Sequence, residues 1–216
     1  MARGVTQRLA EGMTVQKTQI EWTDYSWNPL LGCRRVSRGC GDAHGGGCYA
    51  ERLIATRMSK NPRLPMYHDI ARLTANSKPQ FTGVSRLLPD RLDEPLRAKG
   101  RKIFVCDMGD LFFEGHQFED IAAVWGVMAG AFWHTFQVLT KRPERALEFF
   151  SWLRDEADEQ GAPYTPIRCG VAAANFGADI DFLGLPGTWP LPNVHIGVSV
   201  EDQAAADKRI PLLLQI

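Results

Sequence analysis

Three times along this chain a short apolar run ends in a cluster of polar residues that opens a helical pattern. Lys102-Ile-Phe-Val-Cys106 ends in Asp107-Met-Gly-Asp110, ahead of an apolar-rich helix predicted over Phe118–Ala131. Phe136-Gln-Val-Leu139 ends in Thr140-Lys141-Arg142-Pro143-Glu144, and a helix follows through Glu144–Glu159. Val194-His-Ile-Gly-Val198 ends in Ser199-Val-Glu201-Asp202, with another helix from about Asp202. Strands alternating with helices at this spacing predict parallel β/α units, because parallel neighbours need a long crossover and a helix supplies it. In such folds the groups just past the carboxyl ends of the strands line the active site. Asp107, Asp110, Thr140, Lys141, Arg142, Ser199, Glu201 and Asp202 are therefore expected on one rim. Asp107, Ser199 and Asp202 read equally well as helix N-caps.

The earlier part of the chain is less regular. A short apolar–polar alternation around Ile20 and Trp22 leads into Asn28-Pro29 and Gly32, a strand feeding a loop. Cys33 to Cys48 is glycine-rich, and Tyr49–Ser59 reads as a helix with Ala50, Leu53, Ile54 and Met58 at helical spacing. Residues 60–98 are broken by prolines, and residues 161–192 hold five prolines and five glycines, which predicts a long irregular insertion. Residues 1–17 read as a flexible polar leader and 18–216 as a single α/β domain. A closed eight-unit barrel takes about 250 residues, whereas only four or so strands are legible here. The expectation is a partial (β/α) barrel truncated at its C-terminus.

Charge and composition remove several function classes. Lysine plus arginine and aspartate plus glutamate number 25 each, so no overall field favours DNA or an anionic membrane. No apolar run approaches the roughly 20 residues of a membrane helix, and the N-terminal residues lack the apolar stretch of a secretory signal. A cytoplasmic protein is expected, without a membrane partner. There is no Gly-x-Ser-x-Gly elbow and no phosphate-binding Gly-x-x-x-x-Gly-Lys-Ser/Thr loop, which argues against a serine hydrolase and an ATPase.

Five cysteines, an odd number, in a chain without an export signal argue against a disulfide framework and for metal or redox chemistry. Three of them, Cys33, Cys40 and Cys48, form a C-x6-C-x7-C arrangement in the glycine-rich loop. Glycine gives the backbone the freedom to bring several thiolates together. Three thiolates suit a 4Fe–4S cluster with one open iron. With His44, midway between Cys40 and Cys48, a closed Cys3His zinc site is the second reading, although neither gap has the usual zinc spacing. Unligated cysteines are the third reading. Cys106 reads as a small core residue, and Cys169 has no evident partner. Trp22, Tyr25 and Trp27 beside Arg34-Arg35-Val-Ser-Arg38 would suit a nucleic-acid partner, aromatics for stacking and cations for phosphate. As strand residues, the same aromatics suit a core.

The stretch Ile20-Glu-Trp-Thr-Asp-Tyr-Ser-Trp-Asn-Pro29, then Gly32-Cys33, Val36-Ser37, Gly39-Cys40 and Cys48-Tyr-Ala-Glu51, resembles the opening signature of a phage-associated family of uncharacterised three-cysteine proteins. Asp107-Met-Gly-Asp-Leu-Phe112, Phe136-Gln-Val-Leu-Thr-Lys-Arg-Pro-Glu144 and Ile196-Gly-Val-Ser-Val-Glu-Asp202 extend the likeness in the same order. That family resembles the radical S-adenosylmethionine enzymes and is similar in pattern to spore photoproduct lyase. The resemblance implies a 4Fe–4S cluster on Cys33, Cys40 and Cys48 and S-adenosylmethionine as the small-molecule cofactor. It also implies Tyr49 as the aromatic beside the last ligand. Position at strand ends adds Asp107, Asp110, Lys141, Arg142, Ser199 and Glu201 as contacts to cofactor or substrate. Where the family has two residues between the second and third cysteines, this chain has seven. The expected activity is that of a radical enzyme whose substrate the sequence leaves open, with nucleic acid or a nucleotide as the candidate and room for a protein partner. The alternative is a zinc-stabilised, non-enzymatic interaction or nucleic-acid-binding protein.

Overall fold

A computed structural model describes residues 16–41, 47–158 and 165–216. The strands are β1 (Gln16–Lys17), β2 (Tyr25–Trp27), β3 (Leu30–Leu31), β4 (Ala71–Leu73), β5 (Pro79–Phe81), β6 (Arg86–Leu87), β7 (Lys102–Val105), β8 (Thr135–Thr140) and β9 (Val194–Val198). The helices are α1 (Tyr49–Thr56), α2 (Pro89–Leu92), α3 (Phe118–Gly130), α4 (Pro143–Asp158), α5 (Thr165–Asn175) and α6 (Gln203–Leu213).

One sheet, in the order β1-β2-β7-β8-β9, organises the molecule. β2, β7, β8 and β9 are parallel, and β1 is antiparallel on the outer side of β2. Register follows burial: Ile103 and Val105 of β7 stand opposite Phe136 and Val138 of β8, and all four are buried. The chain is thus an α/β protein in which all four parallel strands deliver their carboxyl ends to one edge. The sheet is open, with β1 and β9 at its margins. The described strands close no barrel, so of the expected partial barrel it is the α/β class and the repeated parallel unit that stand.

Two cores divide the chain. The larger is built on the sheet, α3, α4 and α5 around Trp27, Phe112, Trp125, Phe136 and Phe149. The smaller lies mainly in the insert between β2 and β7, where Leu31, Ile54, Tyr67, Ile70 and Phe81 pack together. Two short antiparallel pairs, β3 with β6 and β4 with β5, frame that insert. Ser85 ties it back to the β7–α3 loop, with its hydroxyl 2.7 Å from Nδ1 of the buried His116.

Burial, reinforced by the nearby Arg142 guanidinium, lowers the His116 pKa to about 4 from an ordinary 6.5. Between these values the unfolded chain binds the proton first, so stability is complete above pH 6.5 and falls on acidification towards pH 4. A His116→Gln variant is expected to flatten the urea-derived stability profile over that window; an unchanged slope would contradict this account.

The sequence expectations need two corrections. Within residues 161–192 the chain is not irregular throughout, because Thr165–Asn175 forms α5, with Pro166 at a helix-opening position and Cys169 and Ala173 buried. Gln16 and Lys17, assigned above to the leader, pair with Ser26 and Tyr25 as β1; the remaining leader lies outside the described residues. Among the described residues no helix is long and apolar enough to cross a membrane.

Candidate functional site

Between the two cores, at the carboxyl edge of the sheet, lies a cavity of about 340 Å³, within the size range of small-molecule sites. Cys33, Cys40 and Cys48 all line it, as do Tyr49, Asp107, Asp110, Thr140, Lys141, Arg142 and Ser199. The strand-end rule therefore places its residues correctly, with two exceptions. Asp202 is the N-cap of α6, its carboxylate accepting from the Ala205 amide at 2.8 Å. Glu201 does not line the cavity. Its carboxylate accepts from Arg209 Nη1 at 2.7 Å, and a Cβ on Gly39 would fall 2.9 Å from its Oε2. Glu201 thus forms a seat for the cysteine loop. Burial alone would raise its pKa, but the Arg209 hydrogen bond and charge prevail and hold it down at about 2.

The strand ends are locked by side chains. After β7 the backbone turns through Cys106 at a φ of 58°, a left-handed conformation that non-glycine residues adopt at a cost. That turn presents Asp107 to the cavity, where Asn28 Nδ2 donates to its Oδ1 at 2.5 Å. The Tyr49 hydroxyl lies 2.7 Å from Asp107 Oδ2, which joins α1 to the sheet. Burial, then the Asp107 charge, push the Tyr49 hydroxyl pKa well above its usual range, so it stays a donor. Asn28 also accepts from the Met108 amide at 2.9 Å. Sequence reasoning missed Asn28 as a site residue, although its place one residue past β2 was the available signal. Gly32 and Gly109 touch without side chains: a Cβ on Gly109 would sit 2.8 Å from the Gly32 carbonyl oxygen.

Arg142 joins most of the parts. Its Nη1 donates to Asp110 Oδ2 at 3.0 Å and reaches Cys33 Sγ at 3.6 Å. Its Nε donates to Glu114 at 2.8 Å and its Nη2 to the Arg34 carbonyl at 2.6 Å. Burial opposes its charge, but Asp110 and the other acceptors outweigh burial and hold the guanidinium firmly protonated. Asp110 also accepts from the Thr140 hydroxyl at 2.7 Å. Burial pushes the Cys33 thiol up to about 12 against the pull of Arg142, and burial raises Cys48 as well. Lys141, by contrast, has no acidic partner for its ammonium among the described residues.

No disulfide links the five cysteines. Cys106 and Cys169 are buried, as expected for Cys106 as a core residue. Of the aromatics weighed for a nucleic-acid face, Trp27 is fully buried and donates to the Arg91 carbonyl, whereas Trp22 is exposed against Phe104. His44, the fourth ligand of the zinc reading, lies outside the described residues.

A family model described as a protein of unknown function, DUF5131, matches residues 17–216. The chain belongs to the DUF5131 family. That match takes in both cores and every cavity residue named above. No curated protein matches the chain. No solved structure matches it either.

Proposed function

We propose that this member of the DUF5131 family is a 4Fe–4S, S-adenosylmethionine-dependent radical enzyme whose reaction takes place in the cysteine-lined cavity. The observation that carries the reading is the opening of Cys33, Cys40 and Cys48 onto one cavity at the carboxyl ends of parallel strands. The advance of β2, β7, β8 and β9 in one direction is also compatible with a partial barrel of the radical-enzyme type.

The donor set suits such a cluster. Three thiols face the cavity, and its two carboxylates are already engaged, Asp107 with Asn28 and Tyr49, and Asp110 with Thr140 and Arg142. Among the described residues no three or more His, Cys, Asp or Glu side chains stand as a ready-made metal group. Ligation therefore requires the thiols to draw together and lose their protons as metal binds. When bound, the cluster supplies the electron that cleaves the sulfonium of S-adenosylmethionine.

The chain's own residues supply recognition and shielding. Lys141 offers an uncommitted ammonium to a ligand carboxylate. Phe104 and Leu139 provide apolar wall, and Ser199 provides a hydroxyl. Tyr49, fixed by Asp107, closes one side.

Metal and sulfide analysis of protein purified without oxygen, with its visible spectrum, tests the proposal. About four irons and four sulfides per chain are expected, with a brown chromophore lost in Cys48→Ala. One zinc without sulfide, or no metal after reconstitution, would overturn it.

A further inference from the structure

The neutral net charge conceals a strong separation. Residues 31–87, which take in the cysteine loop and most of the insert, carry ten lysines and arginines against three acidic residues, an excess of +7. The rest of the chain carries the balancing −7. Within the lobe Glu51 is neutralised by Arg35 and Asp69 by Arg86. Arg34, Arg52, Arg57, Lys60, Arg63 and Arg72 are exposed and have no acidic partner among the described residues. Like charges crowded on one small lobe repel one another, which disfavours the lobe unless an anion shares it.

The arrangement of α1 gives this charge a direction. Ala50, Glu51, Ile54 and Ala55 are buried in the smaller core, leaving Tyr49, Arg52 and Thr56 along the outer face at helical spacing. Tyr49, Arg52, Leu53, Thr56 and Arg57 line an open groove. Tyr49 lines the cysteine cavity as well, so the groove and the cavity meet at its ring. Tyr49 is 45% exposed and its ring is held by the hydroxyl bond to Asp107. Cations along a groove, followed by a fixed aromatic face at the mouth of a cavity, match what a single-stranded nucleic acid needs. The cations meet the phosphates and the ring takes a base in stacking. A duplex would have to release a base to reach so small a cavity.

We infer that the outer face of α1 binds the backbone of single-stranded nucleic acid and leads one unstacked base past Tyr49 towards the cysteine cavity. As an account of substrate delivery this rests on the cavity being a reaction site; the binding itself needs no cluster.

Fluorescence anisotropy of a labelled 20-nucleotide mixed-sequence single strand, at 50 to 200 mM salt, tests it on both metal-free and iron-loaded full-length protein. Saturable binding is expected in both forms. Arg52→Gln/Arg57→Gln should weaken it at least tenfold at 50 mM and lower the slope of log affinity against log salt by about 1.4, two phosphate contacts at roughly 0.7 each. Tyr49→Leu should weaken binding about tenfold while changing the salt slope little. Lys99→Gln/Lys102→Gln, at the opposite edge of the sheet, should stay within twofold of the parent. Circular dichroism confirms that each variant is folded. No binding at 50 mM salt, a 20-base-pair duplex bound as tightly as the strand, or binding to phosphatidylserine vesicles but not to the strand would each overturn the inference. Binding by the metal-free protein would stand even if no cluster forms, so the two proposals fail separately.

Discussion

Arg142→Met is expected to lower the unfolding free energy by about 3–5 kcal/mol, because it removes one partner of a buried ion pair and leaves the other charge behind. The arginine side chain is 3% exposed and Asp110 opposite it 8%. Methionine preserves much of the apolar stem, so the loss reports the missing guanidinium rather than an empty space. Lysine is not expected to rescue it, since an ammonium cannot reach Asp110, Glu114 and the Arg34 carbonyl with one planar fork. Asp110→Asn combined with Arg142→Met should cost clearly less than the sum of the two single changes. Urea unfolding of the four proteins measures this directly. A single-variant cost below about 1 kcal/mol, or simple additivity, would show that the pair contributes little. The same substitution frees the carbonyl of Arg34, the residue after Cys33, so the cysteine loop loses an anchor as well.

Gly126→Ala is the second large effect. Alanine in a helix interior is ordinarily favoured over glycine by about 1 kcal/mol. Here a Cβ would lie 2.1 Å from the carbonyl oxygen of Cys169 and 2.4 Å from its carbonyl carbon. Both are main-chain atoms, so no rotamer change relieves the contact, and α3 and α5 must separate. Forcing extra volume into a packed core typically costs 1–3 kcal/mol, and separating two helices belongs at or beyond the top of that range. Cys169→Gly should not restore stability, because the clash is with the backbone rather than the thiol. Thermal unfolding decides the matter: a melting temperature equal to or above that of the parent would refute the close approach.

The parts of the molecule visible from the sequence are those with strong local periodicity. β7, β8 and β9 with the helices after them stand where the apolar runs and polar clusters predict. Asp107, Asp110, Lys141, Arg142 and Ser199 reach the cavity because the carboxyl end of a parallel strand is a place fixed by topology. Glu201 follows the end of β9 but stands off the cavity, since its partner Arg209 lies eight residues on and no pattern announces that pairing. α5 was obscured because eleven helical residues sit among prolines and glycines that dominate a longer window, although Thr165-Pro166 is a helix-opening pair. In the insert, α1 stands where Tyr49–Ser59 reads as a helix, but the strands were unreadable for another reason. They are two or three residues long and acquire their meaning only by pairing across the lobe, as Leu30 does with Leu87.

The separation of charge between the lobe and the rest of the chain also gives the neutral molecule a basic pole and a more acidic remainder. At low ionic strength the basic pole of one molecule attracts the acidic pole of the next, although neither carries net charge. Neutrality therefore does not make these molecules indifferent to one another. Added salt screens the attraction, so solubility should rise with electrolyte instead of falling.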